Sequence, residues 1–268
     1  MLAAARILRH IGRAPELIAA GRHTPAVRQL VQRYLGVGAG DYPFTVPLTG
    51  GGSLTVSSPA EVRVFWHIFV RGSYQVPARC DTILDCGANV GIFSVWAARQ
   101  RPAARIVALE PFPDTYASLV ANIRANALDD RVRCVPLALA AQAGERFIGI
   151  DGASPDRKLV AQDLEADRSA SVRVDTLSLG DAMSRNGFDH VDYLKMDIEG
   201  SEWEVLLSTP VDVLRRIRVI QLEYHEVHAR FGYTPERLFS YLADAGHRLT
   251  YRTEDELRTG LAYFEQVA

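Results

Sequence analysis

From residue 80 onward, short apolar runs alternate with longer stretches in which apolar residues recur every three or four positions. Thr82–Asp85, Arg105–Glu110, Arg131–Leu137, Val191–Met196 and Arg218–Tyr224 are of the first kind. They are short, rich in Val, Ile and Leu, and bounded by turn residues, as strands buried on both faces are. Asn89–Arg99 and Asp114–Ala127 carry the helical period between them. This repeat predicts a parallel sheet with helices on both faces. Residues 138–180 are less regular, with short strands expected near Phe147–Ile150 and Val172–Val174. Thr234-Pro235-Glu236 opens a helix that Gly246 stops. His247–Thr253 and Leu261–Val267 then close the chain as two strands.

The first 79 residues have a different texture. Residues 1–38 read as one or two helices, interrupted near Gly21 and ended by the glycines between Gly36 and Gly40. Phe44–Leu48 and Leu54–Ser57 flank Thr49-Gly50-Gly51-Gly52-Ser53, a hairpin signal that Pro47 weakens. Pro59 opens a helical stretch running from Glu61 to Arg71. Residues 1–79 are therefore expected to be a helical and hairpin extension, acting as a lid, and residues 80–268 an α/β domain.

Composition narrows the function classes. A chain of 268 residues with 48% hydrophobic content supports a sizeable core. The net charge of −2 and the interspersed charges give no basic stripe, so no nucleic-acid partner is expected. Cys80, Cys86 and Cys134 form no C-x-x-C pair, which suits a reducing compartment and predicts a cytoplasmic location. No run is long enough to span a bilayer. Arg6, Arg9, His10 and Arg13 interrupt the first twenty residues, which read as an amphipathic helix docked on the protein's own body rather than a secretory signal.

Asp85-Cys86-Gly87-Ala88-Asn89-Val90-Gly91 links the first strand of the α/β region to a helix. Gly87 permits a sharp turn, and Gly91 a close approach of helix or ligand. The helix start offers free N–H groups to an anion. Glu110 ends the next strand nineteen residues after Gly91, where a carboxylate would accept hydrogen bonds from ribose hydroxyls. Together these form a nucleoside-cofactor pattern. Nicotinamide proteins usually carry glycine at the position of Asn89, whose side chain would crowd a pyrophosphate. A single amino-acid-like carboxylate tolerates that residue, which favours S-adenosylmethionine over NAD.

The second informative stretch is Asp192 to Glu204. Ser201 and Glu204 have capping-box spacing, so a helix should begin at Glu202. Asp197 and Glu199 then lie at the carboxyl end of a strand, where open α/β sheets bind ligands. Lys195 sits inside an apolar strand and needs a counter-charge. If its strand lies between the first and the fifth, Asp85 or Glu223 supplies one. The fifth strand puts Gln221, Glu223 and His225 on one face, with His225 a candidate general base at its end. His228 is a weaker candidate and His247 is read as structural.

Leu84–Gly91, Leu109-Glu110-Pro111, Asn122–Asn126, Val174–Leu177 and Leu194–Glu202 resemble the FkbM-type methyltransferases. The resemblance implies a class I, Rossmann-like doubly wound sheet of seven strands, the last antiparallel. It implies O-methylation of a hydroxyl on a sugar or natural product. By position, Asp85, Gly87, Asn89, Gly91 and Glu110 would hold the cofactor, and Asp197 and Glu199 would border the reacting centre. Ala88 and Asp197 are further cofactor-binding candidates, and Asp197, Glu199 and His225 are the catalytic candidates, Asp197 and His225 as base. An aliphatic hydroxyl needs a base as the bond forms, or a metal to lower its pKa. Asp197, Glu199 and Glu223 could offer oxygen ligands to Mg²⁺, but their spacing fits no dedicated cage and a metal is not favoured. Trp66, His67, Arg71 and Tyr74 are substrate-side candidates, with Trp66 and Phe69 also suited to the core. The partner expected is a small hydroxyl acceptor, and a homo-oligomer is compatible with the sequence. The rival readings are a nicotinamide-dependent oxidoreductase and a non-catalytic binding protein of the same fold.

Overall fold

The computed structural model describes residues 14–37, 41–149, 171–225, 232–253 and 259–267. The N-terminal layer holds α1 (Ala14–His23), α2 (Val27–Leu35), the hairpin β1 (Phe44–Pro47) and β2 (Ser53–Val56), and α3 (Pro59–Phe65). The helical break falls at Thr24 to Ala26, after Gly21, where Thr24 Oγ1 accepts a hydrogen bond from Ala26 N at 3.0 Å. Gly36 ends α2 in the left-handed conformation, φ 64°. The hairpin forms in the register Phe44 to Val56. The expected helix through Arg71 splits: Ser58 caps α3, and a π-turn over Trp66–Val70 follows. The Arg6 to Arg13 stretch lies outside the described residues.

The α/β region follows as β3 (Thr82–Cys86), α4 (Ile92–Gln100), β4 (Arg105–Leu109), α5 (Pro113–Ala125) and β5 (Val132–Val135). Next come β6 (Ala138–Leu139), β7 (Gly144–Gly149), β8 (Ser171–Leu177), α6 (Leu179–Arg185), β9 (Tyr193–Met196) and α7 (Glu202–Ser208). The last elements are α8 (Val211–Leu214), β10 (Val219–His225), α9 (Pro235–Asp244), β11 (His247–Arg252) and β12 (Thr259–Gln266). The main sheet runs β11-β12-β10-β9-β3-β4-β5. Its first five strands in chain order are parallel where they pair, and β12 is antiparallel to both β10 and β11. This is the class I methyltransferase sheet, with its last strand inserted antiparallel. The irregular region forms a separate sheet, β6-β8-β7, over its own small apolar cluster of Phe112, Ala138, Ile148 and Val174.

Helix α4 explains how the layers join. Ile92 through Ala98 are all buried and, Ser94 aside, apolar, so this stretch of the helix is covered on every side. Such a helix must be covered on both flanks. The sheet covers one, and the N-terminal layer covers the other through an apolar cluster that runs from Ala20 and Phe65 to Ile83 and Val95. Asn122 of α5 pins the hairpin to this flank. Its amide accepts from Thr55 N at 2.8 Å and donates to Thr55 O at 3.0 Å and Val90 O at 2.8 Å. Trp66, stacked on Tyr34 at 4.6 Å, and Phe69 are core residues of this layer. Among the described residues, no helix is long and apolar enough to cross a membrane.

Candidate functional site

Two loops leave adjacent strands at their carboxyl ends, 87–91 after β3 and 197–200 after β9. Parallel pairing of β3 with β9 brings them side by side. Asp197 N donates to Cys86 O at 3.1 Å, and a Cβ on Gly87 would lie 1.8 Å from Asp197 O. Gly87, at φ 76°, is thus required by backbone-to-backbone contact between the loops. Gly91 opens α4 and serves helix packing, since a Cβ there would lie 2.7 Å from Leu119 Cδ1. Asn89 and Glu199, one in each loop, both hold left-handed backbone, φ 50° and 54°. Non-glycine residues in that region store strain that tends to gather at ligand sites.

Beneath the two loops lies a buried ion pair. Lys195 Nζ stands 3.3 Å from Asp85 Oδ1 and 3.7 Å from Asp197 Oδ2, and donates to Gly87 O at 2.6 Å. Strand β9 lies between β3 and β10, as the ion-pair expectation required, and Asp85 is the partner. Ser94 Oγ donates to Asp85 Oδ2 at 2.6 Å. Burial pushes Asp85 up from the usual carboxylate range, against the pull of the Lys195 ammonium. Burial also works to lower Lys195, but Asp85, Asp197 and Glu223 outweigh it and hold the ammonium charged. Asp85 is fully buried and committed to Ser94 and Lys195, so it braces the glycine turn from below.

Glu110, at the end of β4, accepts from Asn89 N at 2.9 Å through one oxygen and from Phe112 N at 3.1 Å through the other. Each oxygen keeps a lone pair for a further donor. Burial lifts its pKa to about 7. A nucleoside with a ribose diol and an amino-acid tail needs such a buried acceptor, an open helix N-terminus and facing acids. Glu110, the turn at 87–91 and Asp197 meet that description, and no side chain caps the start of α4.

Across the crevice, Glu202 organises the acidic loop. It is fully buried and accepts from Ile198 N and Gly200 N, both at 2.8 Å. It also bonds His225 Nδ1 at 3.2 Å. The helix starts at Glu202 as expected, but the capping box does not form. Ser201 makes no side-chain cap, and Glu204 instead pairs with Arg146 at 3.0 Å. Glu202 wins because its short reach back to Ile198 and Gly200 ties down two loop N–H groups at once. Sequence reading passed over it; an acid two residues past a glycine, on a helix whose neighbour Trp203 is core, was the signal available.

His225 lies with Nε2 at 3.7 Å from Glu199 and Nδ1 on Glu202. Burial works against its charge, but Glu202, Asp197 and Glu199 lift its pKa to about 9. At neutral pH it is therefore an imidazolium and a hydrogen-bond donor, a poor fit to the general-base role expected of it. Asp197, Glu223 and His225 bring side-chain N and O atoms within 4.8 Å of one another, a grouping that does not include Glu199. Lys195 and the His225 imidazolium already supply positive charge there. His228 lies outside the described residues, and His247 is buried on Ile217 O at 2.8 Å, as a structural histidine.

Among the described residues, the N-terminal segment reaches the site at Tyr74. Tyr74 OH donates to Glu223 Oε2 at 3.3 Å, and Gln221 accepts from Gln75 N at 3.1 Å through Oε1 and donates to Ser73 O at 2.8 Å through Nε2. Tyr74 is thus the substrate-side candidate brought to the crevice. Arg71 pairs with Glu16 at 3.4 Å and Tyr34 at 3.0 Å, and His67 lies on Arg71 at 3.1 Å, within the N-terminal layer. The hairpin rests on Arg99, Asn122 and Asn126, along the flank of the sheet.

A protein-family profile described as a methyltransferase FkbM domain matches residues 85–249, well over half of the chain. The 31-O-demethyl-FK506 methyltransferase FkbM of Streptomyces tacrolimicus is 29% identical over 181 residues, covering 57% of this chain and 68% of that protein. Methyltransferase sdnD of Sordaria araneosa is 28% identical over 195 residues, covering 63% and 74%. Among solved structures, methyltransferase FkbM from Methylobacillus flagellatus KT aligns over 97% of this chain and 60% of that one, with 16% identity and a TM-score of 0.49. The profile match covers the glycine turn, Glu110, the acidic loop and His225, and the chain belongs to the FkbM methyltransferase family.

Proposed function

We propose that this methyltransferase transfers the methyl group of S-adenosylmethionine to a hydroxyl of a small molecule, a sugar moiety or natural product. The observation that carries the reading is the pair of facing loops, 87–91 and 197–200, tied together beneath by Lys195. The name of one relative, a 31-O-demethyl-FK506 methyltransferase, supports oxygen as the acceptor atom. Gly87, Ala88, Asn89 and Gly91 would hold the amino-acid tail at the start of α4, and Glu110 would take the ribose hydroxyls. Asp85 acts at one remove, by fixing Lys195 and the turn.

The sulfonium cofactor supplies an activated methyl group, so the protein's task is positioning and proton handling. Asp197 and Glu199 border the reacting centre and are suited to stabilising positive charge there. The His225 imidazolium donates a hydrogen bond toward the acceptor side, held in place by Glu202. The described residues of the N-terminal extension would border the acceptor, with Tyr74 at the crevice. The hydroxyl proton must leave to a base on this side of the crevice.

The test is transfer of tritiated methyl from S-adenosylmethionine to a panel of glycosylated and polyketide-like hydroxyl compounds. Label recovered in a base-stable ether supports the reading. Label recovered only in amine or carboxylate products, or in none, contradicts it.

A further inference from the structure

Helix α1 uses its two sides differently. Its inner side is fixed to the N-terminal layer at helical spacing. Glu16 Oε2 accepts from Trp66 Nε1 at 2.6 Å, and Oε1 pairs with Arg71 at 3.4 Å. Ala20 is buried, and His23 meets the Phe69 ring edge-on at 5.6 Å. On the outer side Pro15, Ile18 and Arg22 recur at the same spacing, with Leu17 and Gly21 beside them, and all five are exposed. Leu17 is 45% exposed and Ile18 66%, the most exposed large apolar residue among the described residues. A surface helix ordinarily turns such residues to the core. Charge follows the same division. Residues 1–35 contain six arginines and a single acid, Glu16, whereas residues 36–268 hold 24 basic and 31 acidic side chains. With Glu16 turned inward, the outer face of α1 is apolar and basic. Arg22 and Arg28 are exposed, while Arg33 lies over the Phe44 ring at 3.8 Å.

We infer that the outer face of α1 docks on the surface of an anionic phospholipid membrane. Leu17 and Ile18 enter the boundary between headgroups and acyl chains, and Arg22 and Arg28 meet lipid phosphates. Two large apolar side chains with guanidinium groups beside them match that boundary, which offers hydrocarbon and negative charge within a few ångströms. A nucleic acid offers the charge but no hydrocarbon for Leu17 and Ile18. A helix of ten residues is about 15 Å long, too short to span a bilayer, so it lies along the surface. The acid-rich remainder of the chain is repelled by the same surface, which turns the N-terminal layer toward the lipid. This docking is independent of which acceptor the crevice takes.

The test is co-sedimentation of the full chain with vesicles of phosphatidylcholine alone and of phosphatidylcholine mixed with phosphatidylglycerol, at low and high salt. Wild type should bind the mixed vesicles, bind them less at high salt, and bind phosphatidylcholine weakly. Leu17→Ser with Ile18→Ser should lower the partition coefficient roughly 100-fold and leave the Tm of the free protein unchanged. Arg22→Glu with Arg28→Glu should lower it roughly 30-fold or more. Wild type that sediments with neither vesicle, or equally with both, overturns the inference. So does undiminished binding in either double variant. A lowered Tm in the Leu17 and Ile18 variant also overturns it, by showing the two residues packed against the protein's own chain. A dimer in sedimentation velocity that this variant abolishes, or capture of single-stranded RNA, in each case without vesicle binding, overturns it in favour of a second copy or a nucleic acid.

Discussion

Replacing Lys195 by methionine removes the positive charge beneath both loops while keeping most of the side chain's bulk. Asp85 is fully buried and would be left with Ser94 as its one polar side-chain contact. Breaking a buried pair by deleting one partner costs about 3–5 kcal/mol, because the remaining charge is stranded. The carbonyl of Gly87, now bonded at 2.6 Å, loses its donor as well, at roughly 1 kcal/mol. A domain stable by about 5–15 kcal/mol would lose a large share of that stability, and its Tm should fall by roughly 10–20 °C. Burial drives Asp85 toward its neutral form, so the double variant Asp85→Asn with Lys195→Met strands no fully buried charge, leaving only the part-exposed Asp197 without its cation, and should recover at least half of the loss. Urea unfolding and scanning calorimetry of the two single variants and the double variant measure these terms. Lys195→Met within about 1 kcal/mol of wild type, or a double variant as unstable as the sum of the singles, would refute the reasoning.

Gly87→Ala should fail to yield folded protein or lose more than about 3 kcal/mol, since its Cβ meets Asp197 O at 1.8 Å on backbone that already disfavours a side chain; solubility and urea unfolding check it. Glu202→Gln should bring the His225 pKa down from about 9, as read by imidazole NMR titration; an unchanged value would remove Glu202 as its main support. Because that pKa is raised on folding, the His225 contribution is complete below pH 6.5 and is lost as pH rises toward 9. Wild-type stability should therefore fall over that window by up to about 3 kcal/mol, and Glu202→Gln should flatten the slope. Asp197→Ala should reduce kcat by roughly 100-fold or more in the methyl-transfer assay; unaltered kcat would end its assignment to the reacting centre.

The features legible in the sequence are those set by local pattern. The short apolar runs gave five strands, and the period of the intervening helices gave the parallel order. Lys195 in an apolar strand demanded an acid; the order of the strands left Asp85 and Glu223 both in reach, and the 3.3 Å contact in the folded chain selects Asp85. Features that depend on chain segments far apart were harder to see. Tyr74 and Glu223 are 149 residues apart and meet because the N-terminal layer wraps α4 toward β10. Asn122 marks the family in sequence, but its three bonds to Thr55 and Val90 follow from a hairpin laid against α5. The Ser201–Glu204 spacing suggested a capping box, which lost to two competitors, Glu202 for the loop N–H groups and Arg146 for Glu204. The charge state of His225 could not be read either, because the three acids that set it come from one loop folded over the end of another strand.

The central claim is that the crevice between the 87–91 and 197–200 loops takes a methyl donor rather than a dinucleotide. Thermal denaturation of the full chain with S-adenosylhomocysteine and, separately, NAD measures this directly. Ligand at a hundredfold excess over Kd stabilises by about 2.7 kcal/mol, a rise in Tm of roughly 5–10 °C for a chain of this size. The account predicts that rise with S-adenosylhomocysteine, its loss in Glu110→Ala, and no shift with NAD. A shift with NAD and none with S-adenosylhomocysteine would contradict it.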